Sequence, residues 1–300
     1  MSHGSWDRKD KKKEVLARRK WKLQFLKSFV KKHPEVSITL VCKTYNIASS
    51  TLYYKQKQRI TDRITETKVQ LAHIFDPYYG YRRISYKLNT NKKKIQRIMQ
   101  ICSIKAYTRK RKFRKPWDTN FAHMWVENLK KHMRIIKKNQ VWSSDFTHLY
   151  YGNIEFYLAT VIDEYSRKIV GYKLWLSHEK SLVIETVQDA IWKTKISPDI
   201  LHSDQGSEYR SYEYLDTLKN YGITVSMSAK SSPWENATQE SLYWKLKLEI
   251  GNLNRFKTFE EAIEAIHLYI YYYNNDRIHT SLKMSPNKFL AKCKNTAKSV

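Results

Sequence analysis

The sequence predicts an α/β domain, built on a five-stranded mixed sheet with helices, preceded by an all-α region rich in basic residues. Two observations support this division. Residues 1–140 carry 37 Lys and Arg against 9 Asp and Glu, whereas residues 141–300 carry 19 of each. From residue 141 onward, apolar side chains recur first with the period of strands and then with that of helices. Charge and periodicity change together, which predicts a domain boundary near residue 141.

The charge imbalance predicts a polyanionic partner. The net charge of +28 lies entirely before Val141, and like charges confined to one region repel each other unless an anion neutralises them. Nucleic acid is the favoured partner, with an anionic membrane surface or an acidic protein as alternatives. No apolar run approaches the roughly 20 residues of a membrane span, and the first residues show no signal-peptide pattern. With three widely spaced cysteines, these features indicate a cytoplasmic protein with reduced thiols.

The basic region is predicted to contain two helix-turn-helix units. Residues 1–36 are predicted to be a basic helical N-terminal segment, in which the Lys- and Arg-rich helical pattern covers residues 9–33 and Pro34 ends it. Residues 37–106 form the helix-turn-helix region itself. Its first unit has a helix over 38–45, a tight turn at "NIA", and a second helix capped by Ser49 or Ser50. A plain helical hairpin is the alternative interpretation of this unit.

The second unit repeats the outline within "YYGYRRISYKLNTNKKKIQRIMQICSI". Apolar positions predict one helix through Leu88, a break at 89–91, and another helix that carries Ile95 and Ile101. Basic side chains flank the break, as contacts to phosphates near helix ends require. The candidate DNA-binding residues in this unit are Arg82, Arg83, Lys93 and Lys94. Residues 107–140 are predicted to be a basic linker or arm that lies along DNA.

Residues 141–291 are predicted to form the α/β core, and residues 292–300 a tail. The pair Gly152-Asn153 predicts a hairpin between the first two strands. The predicted elements are, in order, the strands "VWSSDFTHLY", "IEFYLATVID" and "KIVGYKLWLS", the helix "SLVIETVQDAIWKT", the strand "PDILHSD", the helix "SYEYLDTLKNYG", the strand "ITVSMS", and the helices "NATQESLYWKLKLEIG" and "TFEEAIEAIHLYIYYYN". Three antiparallel strands followed by this alternation match the ribonuclease H-like layout.

Two carboxylates of the core are candidate metal ligands. Asp145 lies within the first strand, where an ionised side chain is costly unless something compensates it. Asp204 ends the fourth strand, at the carboxyl edge where α/β sheets form their ligand crevices. The first and fourth strands are neighbours in this layout, which brings the two together. Asp163 is set opposite Trp142 by the hairpin, roughly 10 Å along the strand from Asp145, and is therefore interpreted as strand-end structure.

The third ligand is expected from the helix that follows the fifth strand. With Asn236 or Thr238 as its N-cap, Glu235 lies outside the helix and Glu240 in its first turn. Both are candidates, and Glu240 has the alternative role of a first-turn acid that complements the helix dipole. Lys247 lies two turns further along the face of Glu240 and is a candidate contact to a DNA phosphate.

Several stretches make the chain resemble an insertion-sequence transposase, the second-reading-frame product of the IS Three family, with a retroviral-integrase-like core. The resemblance spans residues 37–291 and is carried by "YYGYRRI", "VWSSDFTHL", "VIDEYSRKIVGY", "LHSDQGSEY", "VSMSAK", "ENATQESLYWKLKLE" and "YYNNDRIHTSL". It implies that Asp145, Asp204 and Glu240 bind the metal ions and are catalytic. The family places 35 residues between its second Asp and its Glu, which Asp204 and Glu240 satisfy and Glu235 does not. Lys247 and Lys230 match basic positions of the family and are candidate DNA contacts.

The resemblance implies DNA strand transfer that depends on Mg²⁺ or Mn²⁺, with two ions sharing the carboxylates. The implied partner is double-stranded DNA, both the terminal inverted repeats of the element and the target. A homo-oligomer on DNA, fusion to an upstream-frame helix-turn-helix protein, no membrane contact and a bacterial cytoplasmic, nucleoid-associated location are also implied. The chain departs from the family pattern at Gln205, Ser231 and Glu235. A DNA-binding regulator with an inert core and a hydrolase of RNA or RNA–DNA hybrids are the alternatives.

Overall fold

The computed structural model describes residues 21–53, 58–108, 126–229 and 233–298. The chain divides into two compact units, residues 1–64 and 65–300. Both predicted helix-turn-helix outlines are helical, and one falls in each unit. None of the described helices is long and apolar enough to cross a membrane.

The first unit is held by a small apolar core. Helix α1 covers 21–32, α2 covers Ile38–Thr44, and α3 covers Ser49–Tyr53. The core consists of Leu26, Val41 and Cys42, with partly buried apolar side chains around them. Asn46 has a φ of 53° in the turn between α2 and α3, a conformation that Asn tolerates better than most residues. The predicted helix, "NIA" turn and second helix are confirmed.

Helix α4, Gln58–Phe75, leads from the first unit into the second, where α5 and α6 form the other hairpin. Helix α5 covers Tyr81–Lys87 and α6 covers Lys92–Ile101. The predicted break is confirmed, since Asn89 has a φ of 46° and the side chain of Asn91 accepts a hydrogen bond from the Lys93 amide. The hairpin packs on α4 through a shared apolar cluster, which consists of Val69 and Ala72 of α4, Tyr79 before α5, and Ile84, Ile95, Ile98 and Met99 of the hairpin.

The second unit contains the predicted five-stranded mixed sheet, with the strands in the order β3-β2-β1-β4-β5. The strands are β1 Val141–Tyr151, β2 Ile154–Asp163, β3 Ile169–Trp175, β4 Ile200–Ser203 and β5 Thr224–Met227. Strands β1 to β3 pair antiparallel, whereas β4 pairs parallel with both β1 and β5. This is the ribonuclease H-like layout that the order of elements predicted.

Helices cover both faces of the sheet. The remaining helices are α7 Lys180–Thr194, α8 Tyr212–Asn220, α9 Ala237–Ile250, α10 Phe259–Asn275 and α11 Pro286–Lys298. One apolar cluster joins side chains of β1 and β2 to α9 and α10, and another joins the opposite face to α7 and α8. Gly171 on β3 is required by this packing, because an added Cβ would lie 2.6 Å from the Cβ of Ala190 on α7.

Two segments at the ends of the predicted core are more ordered than the sequence indicated. Residues 126–140, assigned to the arm, pack on the core: the Leu129 amide donates to Ser226 Oγ at 3.0 Å, and Asn128 Nδ2 donates to Glu235 Oε2 at 2.7 Å. Helix α11 was not predicted and runs across the boundary at 291/292. The earlier part of the arm, residues 109–125, lies outside the described residues.

Candidate active site

Asp145 and Asp204 lie side by side at the carboxyl edge of the parallel strands. Ser143 pairs with His202 in the parallel β1–β4 register. Asp145 follows Ser143 by two residues, and Asp204 follows His202 by two residues. Because neighbouring strands are about 4.8 Å apart, the two aspartates are neighbours across β1 and β4. The hairpin register is the predicted one, with Asp145 opposite Thr160 and Trp142 opposite Asp163. The sheet therefore brings the first two predicted carboxylates together.

The pKa of the Asp145 carboxyl depends on burial and on the charged side chains near it. Burial raises the pKa of the Asp145 carboxyl well above its ordinary value, and the charges of Asp204 and Glu240 raise it further. The Phe146 amide, which donates to Asp145 Oδ1 at 2.8 Å, and the charge of Lys247 act in the opposite direction. Glu240 and Lys247 are both exposed on α9. All four charged side chains are thus close enough to interact.

Asp204 is held by the loop that follows β4. Burial raises the pKa of its carboxyl, although the Gly206 amide donates to Asp204 Oδ1 at 2.9 Å and lowers it. The charge of Glu208 raises the pKa of Asp204 again. A Cβ added to Gly206 would lie 3.0 Å from Glu208 Oε2 and 3.1 Å from Asp204 Oδ1. The loop thus brings a further carboxylate, Glu208, beside Asp204, and no sequence pattern indicated it.

A buried set of hydrogen bonds fixes α9 against the strand that carries Asp145. Gln239 is fully buried, and its Nε2 donates to the carbonyls of Ser143, at 2.5 Å, and Thr160, at 3.1 Å. Thr160 Oγ1 donates to Gln239 Oε1 at 2.8 Å and lies 2.8 Å from Tyr243 Oη. The Tyr243 hydroxyl in turn donates to the carbonyl of Asp145. These contacts set the axial position of α9, and so of Glu240, relative to Asp145.

A second polar group secures the N-terminal turn of α9. Glu164 is 3% exposed and forms ion pairs with Lys130 and Arg167. The Thr238 hydroxyl donates to Glu164 Oε2 at 2.8 Å, and the Ser143 hydroxyl donates to Oε1 at 2.5 Å. Although burial opposes it, the charges of Lys130 and Arg167 lower the pKa of the Glu164 carboxyl. One buried carboxylate thus joins β1, the segment before it, and α9.

The two rejected carboxylates have structural roles. Asp163 is 1% exposed, and its carboxylate accepts from the Asn139 amide and, through the other oxygen, from the Ser166 amide, both at 2.9 Å. It stabilises the end of β2, as predicted. Glu235 precedes α9 and accepts from Asn128 Nδ2 and from the Ala229 amide, both at 2.7 Å. Glu235 therefore closes the connection between β5 and α9.

Asp145 and Asp204 offer the oxygen donors that a hard divalent cation such as Mg²⁺ prefers, and the charge of Asp204 raises the pKa of Asp145. Among the residues that the structure describes, no group of three or more His, Cys, Asp and Glu side chains is placed to hold a metal ion. Residues 230–232, which lead into α9, and with them the candidate contact Lys230, lie outside the described residues.

The remaining candidate DNA contacts differ in exposure. Arg82 and Lys93 are exposed, and Lys94 is half-buried, on α5 and α6. Arg83 is also half-buried: its guanidinium donates to the Tyr78 carbonyl at 2.5 Å and lies 4.5 Å from the centre of the Tyr79 ring. These contacts direct the side chain of Arg83 toward the core.

Families of known proteins match most of the chain in sequence. The sequence profile of one Integrase core domain family matches residues 136–233, and a second matches residues 221–286. The transposase for insertion sequence element IS904 of Lactococcus lactis is 34% identical over 243 residues, covering 78% of this chain and 96% of that protein. The transposase InsF for insertion sequence IS3A of Escherichia coli is 33% identical over 136 residues, covering 44% of this chain and 47% of that protein.

Among solved structures, the simian T-cell lymphotropic virus intasome in complex with a PP2A regulatory subunit matches with a TM-score of 0.46 and 16% identity, covering 74% of this chain and 73% of that chain. The sequence matches to the curated transposases and to the integrase core domain families show that the chain belongs to the insertion-sequence transposases with an integrase core domain. It belongs to the family that the sequence motifs indicated, which includes IS Three-type transposases.

Proposed function

We propose that the protein is a DNA transposase that hydrolyses a phosphodiester bond at the ends of an insertion sequence and then transfers the freed strand. In the first step, water attacks a backbone phosphorus and the bond to the 3′ oxygen breaks, which leaves a 3′ hydroxyl. In the second, that hydroxyl attacks a phosphorus of the target strand, a new bond forms, and the target's own 3′ oxygen leaves. Each step breaks one P–O bond and forms another, the departing 3′ oxygen leaves as a hydroxyl, and neither step needs an oxidant.

The observation that carries the proposal is the meeting of Asp145 and Asp204 across the β1–β4 register, with Glu240 close enough to raise the pKa of Asp145. We assign the catalytic and metal-binding roles to these three carboxylates. Two Mg²⁺ or Mn²⁺ ions, when bound, would supply activation of the attacking oxygen and stabilisation of the leaving oxygen. The proposal includes a movement of Glu240 toward Asp145 and Asp204.

The other residues of the site position these groups. Gln239 and Tyr243 hold α9 at a defined position on β1, and the Glu164 group holds its first turn. Lys247 lies on the same face of α9 as Glu240 and binds a phosphate of the DNA near the reacting bond. The basic first half, including Arg82, Arg83, Lys93 and Lys94, supplies most of the affinity for double-stranded DNA, and Lys230 adds a contact from the core.

The functional partners are the terminal inverted repeats of the element and the target DNA. The protein acts in the bacterial cytoplasm as a homo-oligomer on DNA, alone or joined to an upstream-frame helix-turn-helix protein. The excess of 28 positive charges before residue 141 favours a polyanionic partner of this kind. A DNA-binding regulator with an inert core is the second candidate, and the two helical hairpins within the basic first half are the feature that favours it.

A strand-transfer assay on labelled element ends with Mg²⁺ or Mn²⁺ distinguishes the candidates. We expect joined products from the wild type and none from Asp145→Asn, Asp204→Asn or Glu240→Gln, while Glu264→Gln on the exposed face of α10 behaves as the wild type. Specific binding by all of these proteins without cleavage would support the regulator. Cleavage confined to RNA–DNA hybrids would support a hydrolase.

A further inference from the structure

A small pocket lies beside the candidate active site, between β5 and the segment before β1, and we call it the β5 pocket. Its volume is about 210 Å³, and its apolar lining includes Val126 and Met227. Gln205 also lines it and follows Asp204 directly, so the pocket begins within one residue of a candidate metal ligand. This volume is about seven times the roughly 30 Å³ that one water molecule occupies. The β5 pocket therefore has room for one nucleobase but not for a base pair.

Hydrogen bonds within the protein hold the walls of the β5 pocket in place. Glu235, which lines it, accepts through Oε2 from Asn128 Nδ2 and from the Ala229 amide, both at 2.7 Å. The Leu129 amide donates to Ser226 Oγ at 3.0 Å, which ties the segment before β1 to β5. The protein itself thus fixes the shape of the pocket, as in most ligand sites.

The β5 pocket combines its apolar surface with hydrogen-bonding groups of both kinds. The side-chain amide of Gln205 can donate and accept, and it forms no hydrogen bond with the residues that the structure describes. The carboxylate of Glu235 has about four acceptor sites, and Asn128 and Ala229 occupy two of them. Both side chains can therefore bond to a ligand. A nucleobase, which has two flat faces and a polar edge, suits this lining.

The charges that line the β5 pocket favour a base over a phosphate. The charged lining residues are Glu127, Lys131 and Glu235. Two carboxylates against one ammonium group oppose the entry of an anion, so DNA would enter this pocket through an uncharged base. The phosphate attached to that nucleotide would then lie near Asp145 and Asp204, where the proposed function places the reacting bond.

We propose that the β5 pocket binds one nucleobase, extruded from the duplex beside the reacting phosphate, and that Gln205 and Glu235 recognise its edge. This site rests on the proposed function for its ligand. A base inside a duplex cannot enter a pocket of this size, and enzymes reach such a base by extruding it from the stack. Because a carboxylate accepts from an exocyclic amine, the pocket selects a base that carries one over thymine, which does not. Gln205 and Glu235 are also two of the positions at which the chain departs from the family pattern, so this selectivity is particular to the chain.

The fluorescence of 2-aminopurine tests the β5 pocket without catalysis. This base carries an exocyclic amine, and stacking in a duplex quenches its fluorescence. The full-length protein, in metal-free buffer, is mixed with element-end duplexes that carry 2-aminopurine at either position flanking the cleaved bond. One of these positions should brighten several-fold when the protein binds. Gln205→Leu, which removes the amide, and Ala229→Leu, which fills the pocket, should each abolish most of this rise.

Thr224→Leu, at the exposed start of β5, is the control for an added leucine and should brighten as the wild type does. Thermal unfolding of all three variants checks that each is folded. No rise at either position, or a wild-type rise in Ala229→Leu, would overturn the proposal.

A second arm measures the affinity for duplexes that differ only at the position that brightens. Thymine there should weaken binding by the wild type by about 10-fold relative to adenine, and Gln205→Leu should bind both duplexes with similar affinity. Equal affinity of the wild type for both duplexes would overturn recognition of the base edge. Neither arm requires catalysis: a rise in fluorescence without strand transfer would remove the proposed function and keep the pocket, whereas strand transfer without a rise would do the opposite.

Discussion

Tyr243→Phe tests the claim that buried hydrogen bonds position the catalytic helix. The substitution keeps the ring, which is 6% exposed, and removes only the hydroxyl that donates to the Asp145 carbonyl and contacts Thr160 Oγ1 at 2.8 Å. An unmade hydrogen bond in such a buried place costs about 1–3 kcal/mol. For a unit of this size, about 2 kcal/mol corresponds to a decrease in Tm of about 4–8 °C.

The effect on activity should exceed the effect on folding. Glu240 lies on the same helix one turn before Tyr243, so a loosened contact between α9 and β1 displaces the carboxylate from Asp145. Small displacements of a catalytic group cost up to about 100-fold in rate, and we expect strand transfer to fall by about 10- to 100-fold at a temperature where the variant is folded. DNA affinity should stay at the wild-type value, because the hydroxyl faces the interior of the protein.

Tyr214→Phe is the matched control. The Tyr214 ring is also buried. Its hydroxyl is buried too, but it has no hydrogen-bond partner among the described residues. Removing this hydroxyl should leave Tm unchanged or raise it slightly, and strand transfer should be unaffected. The assays are calorimetric unfolding of both variants and timed strand transfer on labelled duplexes. Wild-type Tm and wild-type strand transfer in Tyr243→Phe would refute the reasoning.

Three further outcomes are expected. In metal-free buffer, Asp145→Asn should be more stable than the wild type at neutral pH, because a carboxyl whose pKa is raised in the folded state destabilises the fold when ionised. This gain, about 1.4 kcal/mol for each unit by which the pKa is raised, should vanish in unfolding measurements below pH 4, and a gain that persists there would contradict the assignment. The Glu164 carboxyl has a lowered pKa, so its contribution is present above its ordinary value of 4.5 and is lost as pH falls through the folded value. Glu164→Gln should therefore lower stability by about 3–5 kcal/mol at pH 7 and flatten the acid limb of the pH–stability curve, and equal curves for both proteins would count against the buried ion pairs. Gly206→Ala should reduce strand transfer several-fold with little change in Tm, because its Cβ would crowd the carboxylate of Asp204. Full activity in that variant would contradict this expectation and mean that the loop shifts to accommodate the Cβ.

The parts of the site that could be predicted from sequence are those set by local periodicity and turn chemistry. The Gly152-Asn153 turn determined the hairpin register, and this register placed Asp163 opposite Trp142 and away from Asp145. The strand order followed from the alternation of strands and helices, and it made β1 and β4 neighbours. The sequence showed both helix breaks as Asn-containing turns, and in the structure Asn46 and Asn89 have a positive φ.

The parts that could not be predicted depend on contacts between remote side chains. The hydrogen bonds of Gln239 and Tyr243 reach residues 79 to 98 positions away, and such contacts leave no periodic trace in the sequence. Glu208 follows a strand in an irregular loop, so nothing local indicates that it faces Asp204. Helix α11 has few apolar residues, and its packing on α10 could not be inferred from its own pattern.

Calorimetric titration of Mn²⁺ into the full-length protein bound to an element-end duplex tests the shared-carboxylate site most directly. The wild type should bind two ions, and Asp145→Asn, Asp204→Asn and Glu240→Gln should each lose at least one, whereas Glu264→Gln should bind as the wild type does. Unchanged affinity and stoichiometry in Glu240→Gln would mean that the helix carboxylate does not join the aspartate pair, and the assigned catalytic trio would be incorrect.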